Sequence, residues 1–496
     1  MPAKRIFNRA IILLFFASIL TLAGCSDEEN SGCLSCHEGY DKTMDTSHNF
    51  SCTTCHDGKD RTDKKEKAHN NLIARPASPD QMNEKCGTCH KGIVTALPHT
   101  SHYTLAPATN LFRNAYDAPD KVQSFAEVKP HANPQTPLEL ADDLLRRRCY
   151  HCHIFSPGDE YSAVRHGVGC AACHMQLKEG SSTPHSFQQP GDEQCLSCHY
   201  GNYVGADYHG HFEPDFKPEY RTPWWTSDEA AAARPWGVEY IQLTPDIHQQ
   251  KGMQCIDCHS GSELMKRGES LSCTSCHEGE SLQAALPRGV KAENGSFTFT
   301  DHTGQIHPLP LMQNPAHLMK KVDCQVCHAQ WGFNDMEKHY LRSDTQNYDQ
   351  FLNLAIQGSS EVERIIQTRD NSRGERFPFA MTDKITGKAM PGVWYKGFLM
   401  RRWKEVQLGR RADGTITTVR PLLDYQISWI DKNGELRIDS ANSHPDGGEY
   451  QPYTPHTTGP AGSQYLERIK LFQRHEGDSE AEQHIWTRAT PVRKKK

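Results

Sequence analysis

Cysteine and histidine recur along this chain in one fixed pattern. Cys33-Leu34-Ser35-Cys36-His37 is the first of nine Cys-x-x-Cys-His pentapeptides. The others carry Cys52, Cys55 and His56; Cys86, Cys89 and His90; Cys149, Cys152 and His153; Cys170, Cys173 and His174; Cys195, Cys198 and His199; Cys255, Cys258 and His259; Cys273, Cys276 and His277; and Cys324, Cys327 and His328. The nine take up 18 of the 19 cysteines, whereas this composition predicts roughly 0.04 chance occurrences. Two thiols at this spacing reach the two vinyl groups on one edge of a porphyrin. The histidine that follows at once turns under the ring and binds iron. Zinc sites and disulfides also use Cys-x-x-Cys, but neither requires histidine directly after every second cysteine. The pattern therefore points to nine covalently bound haem c groups.

Each iron has a second axial position, and the chain holds 28 histidines, of which the motifs use nine. His48 and His166 each sit four residues before a motif. His248 and His317 each sit seven before one. His99 and His102, and His209 and His211, form two close pairs, and His69, His131, His185, His302, His307 and His339 complete the candidate pool. His151, inside the fourth motif, offers an imidazole to a neighbouring haem. A lone histidine is often a surface or hydrogen-bonding residue, but the surplus as a whole favours two imidazoles per iron. Methionine, the other common axial ligand, raises the potential. The expected centres are thus of low potential.

The positions of the motifs suggest how the chain arranges them. Spacings of 19, 21 and 18 residues mark three close pairs, each followed by a third motif. After each third motif a histidine recurs: His99, His209 and His339 lie 9, 10 and 11 residues on. This reads as a threefold repeat of a trihaem unit. The expected divisions are 33–110 for the first module, 111–212 for a linker and the second, 213–340 for the third, and 341–496 for a cysteine-free C-terminal region. Within 103–148, Pro137 to Arg148 has helical character. Residues 212–247 carry Tyr220, Trp224, Trp225, Trp236 and Tyr240, an aromatic cluster suited to core packing. Residues 284–316 look loop-rich, with one β-prone run from Ser296 to Thr300. Beyond His339, Ser343 to Gln367 has helical spacing. Strand-like stretches follow at Val393–Arg410 and Thr415–Ile430, and Asn433-Gly434 marks a hairpin. His444, His456, His475 and His484 fall in this region; His456, in Tyr453-Thr-Pro-His-Thr-Thr-Gly-Pro, could serve a haem, though a structural role is the expectation, and Arg493 to Lys496 reads as a solvated tail.

The whole chain has 496 residues, only 36% of them hydrophobic, and a mean hydropathy of −0.72. That is thin for a protein core, so haems are expected to supply apolar mass. The formal charge of −6 leaves no broad basic field, and nucleic acid is not an expected partner. At the N-terminus Lys4, Arg5 and Arg9 precede an apolar stretch from Ala10 to Leu22, too short for a membrane span. Leu22-Ala23-Gly24-Cys25 has the form of a bacterial lipobox. Residues 1–24 are therefore expected to be a lipoprotein signal peptide, Cys25 the lipidated residue and 25–32 a tether.

On this lipobox and the nine motifs, the chain resembles bacterial multihaem c-type cytochrome lipoproteins over roughly residues 22–340. The resemblance implies a haem-packed, mostly helix-and-loop fold with little regular strand, joined to a C-terminal α+β region. It also implies electron relay in the periplasm or at the cell surface, within an anaerobic respiratory chain. The implied partners are other redox proteins: a membrane quinol-oxidising complex, or an outer-membrane porin–cytochrome conduit. The chain contains no Ser/His/Asp arrangement, phosphate loop or nucleotide signature. The competing function is an oxidoreductase in which one haem keeps an open iron position for a small nitrogen or sulfur oxyanion.

Overall fold

The computed structural model describes residues 32–175, 185–214, 235–265, 271–312, 321–346, 357–370, 378–404, 406–421, 425–440, 450–461 and 463–477. The expected signal peptide at 1–24, Cys25, the aromatic residues Tyr220, Trp224 and Trp225, the histidines His317, His444 and His484, and the expected tail from Arg493 lie outside the described residues, as does the side chain of His475.

The largest sheet runs Leu436–Ser440, Tyr425–Ile430, Gly332–Ser343, Val393–Lys404. Its middle pair is parallel, with Ile427 opposite Tyr340, and the outer pairs are antiparallel, with Leu341 opposite Tyr395 and Trp429 opposite Ile438. Both faces of these strands are covered: Val393, Trp394 and Tyr395 are buried in succession, as are Ile427, Ser428 and Trp429. The helix Pro137–Arg147 packs against this sheet. Its start is well determined: Pro137 has no N–H to lose at the first position, and Thr136 Oγ1 accepts from the Glu139 amide at 3.2 Å. Leu140 and Leu144 are fully buried with Phe112, Tyr150, Val362 and Ile365, each leucine contributing about 1.5–3 kcal/mol.

The same helix brings charge into the core. Asp143 and Arg147 are fully buried and Arg342 is 1% exposed. Asp143 Oδ2 accepts from Arg147 Nη2 at 2.6 Å, Trp394 Nε1 at 2.9 Å and Arg342 Nη1 at 3.3 Å. Arg147 Nη1 spends its remaining hydrogens on the carbonyls of Pro391 and Gly392, at 2.7 and 2.9 Å. Burial disfavours the guanidinium charge of Arg147, and Asp143 opposes that effect. Such a group is costly to bury unless paired, and here it is paired and hydrogen-bonded.

Smaller sheets stand elsewhere. Val290–Glu293, Ser296–Thr300 and Ile306–Pro308 form an antiparallel three-stranded sheet around Leu282, Val290 and Phe299. Leu408–Arg410, Ile416–Pro421 and Tyr450–Pro452 form another. Two-stranded pairs join His211–Phe212 with Ile241–Gln242, and Ala380–Thr382 with Ala389–Pro391. Among the described residues no helix is long and apolar enough to cross a membrane.

The expected fold class does not hold. Among the described residues, helices stand beside several small sheets, a mixed α/β fold and not a haem-packed helical cytochrome. The low average hydrophobicity hid an uneven distribution. Apolar side chains concentrate in 112–150, 362–366 and 393–429, where they build a core from protein alone. The 284–316 stretch read as loop-rich holds a sheet, and of the stretch with helical spacing from Ser343, Ser343 ends a strand while the described helix is Ser360–Asp370.

Candidate metal centres

Each motif must present two sulfurs and an imidazole to one side. Positions i, i+3 and i+4 of an α-turn share a face, and eight of the nine motifs adopt that turn. Four are complete single-turn helices, Cys52–His56, Cys170–His174, Cys273–His277 and Cys324–His328. In four more the histidine amide donates to the carbonyl of the first cysteine: His37 to Cys33, His90 to Cys86 and His199 to Cys195 at 2.9 Å, and His259 to Cys255 at 2.8 Å.

The imidazoles are held from behind. Nδ1 of His56 lies 2.8 Å from the Ile73 carbonyl. That of His174 is 2.9 Å from Gln188 O, and that of His199 is 2.9 Å from Val204 O. His277 uses Pro310 O at 2.8 Å and His328 uses Gly459 O at 2.9 Å. A proton fixed on Nδ1 by a carbonyl leaves the Nε2 lone pair free on the opposite side, which is how metal-binding histidines are oriented.

Opposite six motif histidines stands a second imidazole. Ring centres are 6.2 Å apart for His37 and His69, 6.0 Å for His56 and His185, and 6.1 Å for His90 and His48. The distances are 6.2 Å for His199 and His102, 6.3 Å for His259 and His456, and 6.0 Å for His277 and His248. Metal–imidazole bonds of about 2 Å on both faces of one ion put ring centres roughly 6 to 6.5 Å apart. The facing rings are anchored too: His48 Nδ1 meets Asp45 Oδ1 at 3.0 Å and His248 Nδ1 meets Asp246 Oδ1 at 2.8 Å. Burial and the neighbouring His199 lower the pKa of His102, and burial lowers that of His277, favouring the neutral, metal-binding form. Asp246 raises that of His248.

Of the expected second ligands, His48, His69, His102, His185 and His248 thus lie across from motif histidines. Others are engaged elsewhere. His209 Nε2 faces Asp192 Oδ2 at 2.9 Å, and His131 Nε2 lies 4.0 Å from Asp142. His211 packs against Trp236 and Tyr240 at 5.1 and 4.5 Å. His307 Nε2 bonds Asp301 at 2.8 Å and His339 Nε2 meets Ser428 Oγ at 2.9 Å. His99 closes the short turn Leu97–His99. His166 Nδ1 takes the Gly167 carbonyl at 2.8 Å, with Nε2 3.9 Å from Cys198 Sγ. His302, its Nδ1 on Asp257 Oδ2 at 2.9 Å, lines a cavity of about 560 Å³ beside Cys258, with Arg288 and Phe299. That volume is within the range of cofactor pockets. His456 was expected in a structural role, with service to a haem as the alternative. Its only local signal was a histidine between Pro455 and Thr457, and nothing near it in sequence names His259.

Asp192, His209 and Cys255 also bring three ligand-type atoms within 4.8 Å of one another. Cys255 serves either that cluster or its own motif, and the motif turn at Cys255–Cys258 is formed. No protein-family model, curated protein or solved structure matches the chain.

Proposed function

We propose that the chain is a multihaem c-type cytochrome relaying electrons, with haem c attached at the nine Cys-x-x-Cys-His turns around a mixed α/β body. The observation that carries this reading is the set of six motif histidines, each facing a second imidazole at 6.0–6.3 Å. Bound haem supplies a one-electron iron couple, and two imidazoles hold iron in both oxidation states without opening a substrate position. The protein's part is to fix imidazoles through Nδ1, as at His56, His174, His199, His277 and His328. The lipobox supports an exported protein held by lipid on Cys25, in the periplasm or at the cell surface. Its partners are then other redox proteins, either a quinol-oxidising membrane complex or a porin–cytochrome conduit.

The purified protein tests this directly. A pyridine haemochrome assay near nine equivalents per chain, with mainly low-spin ferric spectra, is expected. Zinc in place of haem, or disulfides between the motif cysteines, would refute the reading. The competing reading is catalysis at an open iron. Strong high-spin signals that shift with nitrite or sulfite would favour it.

A further inference from the structure

Between the sixth and seventh motifs, the short turn Ala206–His209 carries a carboxylate into the interior. Asp207 there is fully buried. Its Oδ2 accepts from Tyr453 Oη at 2.5 Å and from the His456 amide at 3.0 Å. Its Oδ1 lies 3.7 Å from His456 Nδ1. Both of these atoms are buried, and neither has a hydrogen-bond partner among the described residues. A buried carboxylate oxygen and a buried ring nitrogen are each costly to leave unpaired. A closure of about 0.7 Å brings them to ordinary hydrogen-bond distance.

The same turn reaches the seventh motif. Tyr208 Oη donates to the Met253 carbonyl at 2.7 Å, two residues ahead of Cys255. One turn thus holds both the approach to His259 and the imidazole that faces it at 6.3 Å.

Two other facing imidazoles are backed in the same way. Asp45 Oδ1 lies 3.0 Å from His48 Nδ1, and its Oδ2 takes the Phe187 amide at 3.0 Å. Asp246 Oδ1 lies 2.8 Å from His248 Nδ1, and its Oδ2 takes the Thr458 amide at 2.7 Å. In each, one carboxylate joins an imidazole Nδ1 to a main-chain amide remote in sequence. Asp207 repeats the amide bond and faces Nδ1 with the same spare oxygen.

The His456 side chain is 40% exposed, so packing alone does not fix its ring. Backbone ties fix only where the residue sits: Thr457 Oγ1 donates to the Trp331 carbonyl and the Ile247 amide to the Thr458 carbonyl, both at 2.8 Å. Rotation of the ring is left to the carboxylate.

We infer that Asp207 is the positioning residue that holds His456 as the second axial ligand at the seventh motif. The inference rests on the haem reading above. An imidazole that binds metal through Nε2 keeps its proton on Nδ1, the atom turned toward Oδ1. The carboxylate accepts that hydrogen bond, sets the ring plane and makes the imidazole a stronger donor, which favours ferric iron.

Variants of the haem-loaded full chain test this. His456→Ala identifies the centre: one low-spin ferric signal is expected to become high-spin, with the haem count unchanged. Asp207→Asn keeps an oxygen for Tyr453 and the His456 amide but turns an NH2 group toward Nδ1. It is expected to shift the g values of that same signal and to raise its midpoint potential, with the other signals as in wild type. In the double variant, Asp207→Asn should add nothing to His456→Ala. Unchanged spectra and potentials in Asp207→Asn overturn the inference. So does a potential shift that persists without His456, since Asp207 would then act as a charge near the haem and not through the ring. His456→Ala with no gain of high-spin signal also overturns it, while leaving the haem reading intact. Absence of haem from the wild-type protein overturns the haem reading itself. Should Asp207→Asn not fold, atomic positions in the haem-loaded wild type decide: His456 Nδ1 bonded to Asp207 Oδ1 supports the inference, and Nδ1 bonded elsewhere refutes it.

Discussion

His185 faces His56 with ring centres 6.0 Å apart, although one follows the fifth motif and the other closes the second. The exchange is mutual. His102, from beyond the third motif, faces His199 of the sixth. The segment of His185 is bound in turn to the stretch that carries His48, the His185 amide donating to Thr43 Oγ1 and the Phe187 amide to Asp45 Oδ2, both at 3.0 Å. Histidine supply therefore crosses between the groups of motifs that spacing suggests.

Replacement of His185 with alanine should remove the second imidazole from one centre alone. The expected outcome is one high-spin ferric signal in place of one low-spin signal, with the haem count unchanged, measured by electron paramagnetic resonance and pyridine haemochrome. An unaltered spectrum would show that His185 is not a ligand.

Asp246 acts one step further out. Its Oδ1 bonds His248 Nδ1 at 2.8 Å and its Oδ2 accepts from the Thr458 amide at 2.7 Å. A carboxylate there makes the imidazole more basic and favours ferric iron. Asp246→Asn should raise the potential of one centre, read by spectroelectrochemical titration with the others as internal controls.

The buried Asp143 is a stability determinant independent of any cofactor. Asp143→Ala leaves Arg147 and Arg342 without their shared carboxylate in a site closed to water, at a cost of about 3–5 kcal/mol. Chemical denaturation followed by tryptophan fluorescence reports it, since Trp394 Nε1 bonds the same oxygen.

Gly169, just before the fifth motif, has φ +65°, and a Cβ there would lie 1.8 Å from the Ala77 carbonyl oxygen. Backbone must move to admit even alanine. Gly169→Ala should destabilise the protein by at least ~1 kcal/mol and loosen the contact between the third and fifth motifs. A melting temperature equal to wild type would show that the segments are not so closely apposed.

Local chemistry was legible in the residues, and long-range placement was not. The turn that presents two sulfurs and an imidazole follows from i, i+3, i+4 spacing, and five of the facing histidines were in the expected pool. So were the helix at Pro137, the strand at Ser296–Thr300 and the strands from Val393 onward, each marked by capping or alternation. The mixed α/β architecture was missed because average hydrophobicity does not reveal where apolar residues cluster. The pairing of His456 with His259 was missed because the two are remote in sequence and only the folded chain brings them together.

The segment from His456 to Gly459 completes what lies far upstream. His456 faces His259, Thr458 caps Asp246, and Gly459 exchanges hydrogen bonds with both the ring and the backbone of His328. These residues follow all nine motifs in the chain. A nascent chain threading outward would carry the seventh and ninth motifs for some time before their partners arrive. On the proposed reading, ligation of these centres waits for this segment to dock, and truncation before His456 would yield attached but incompletely ligated pigment.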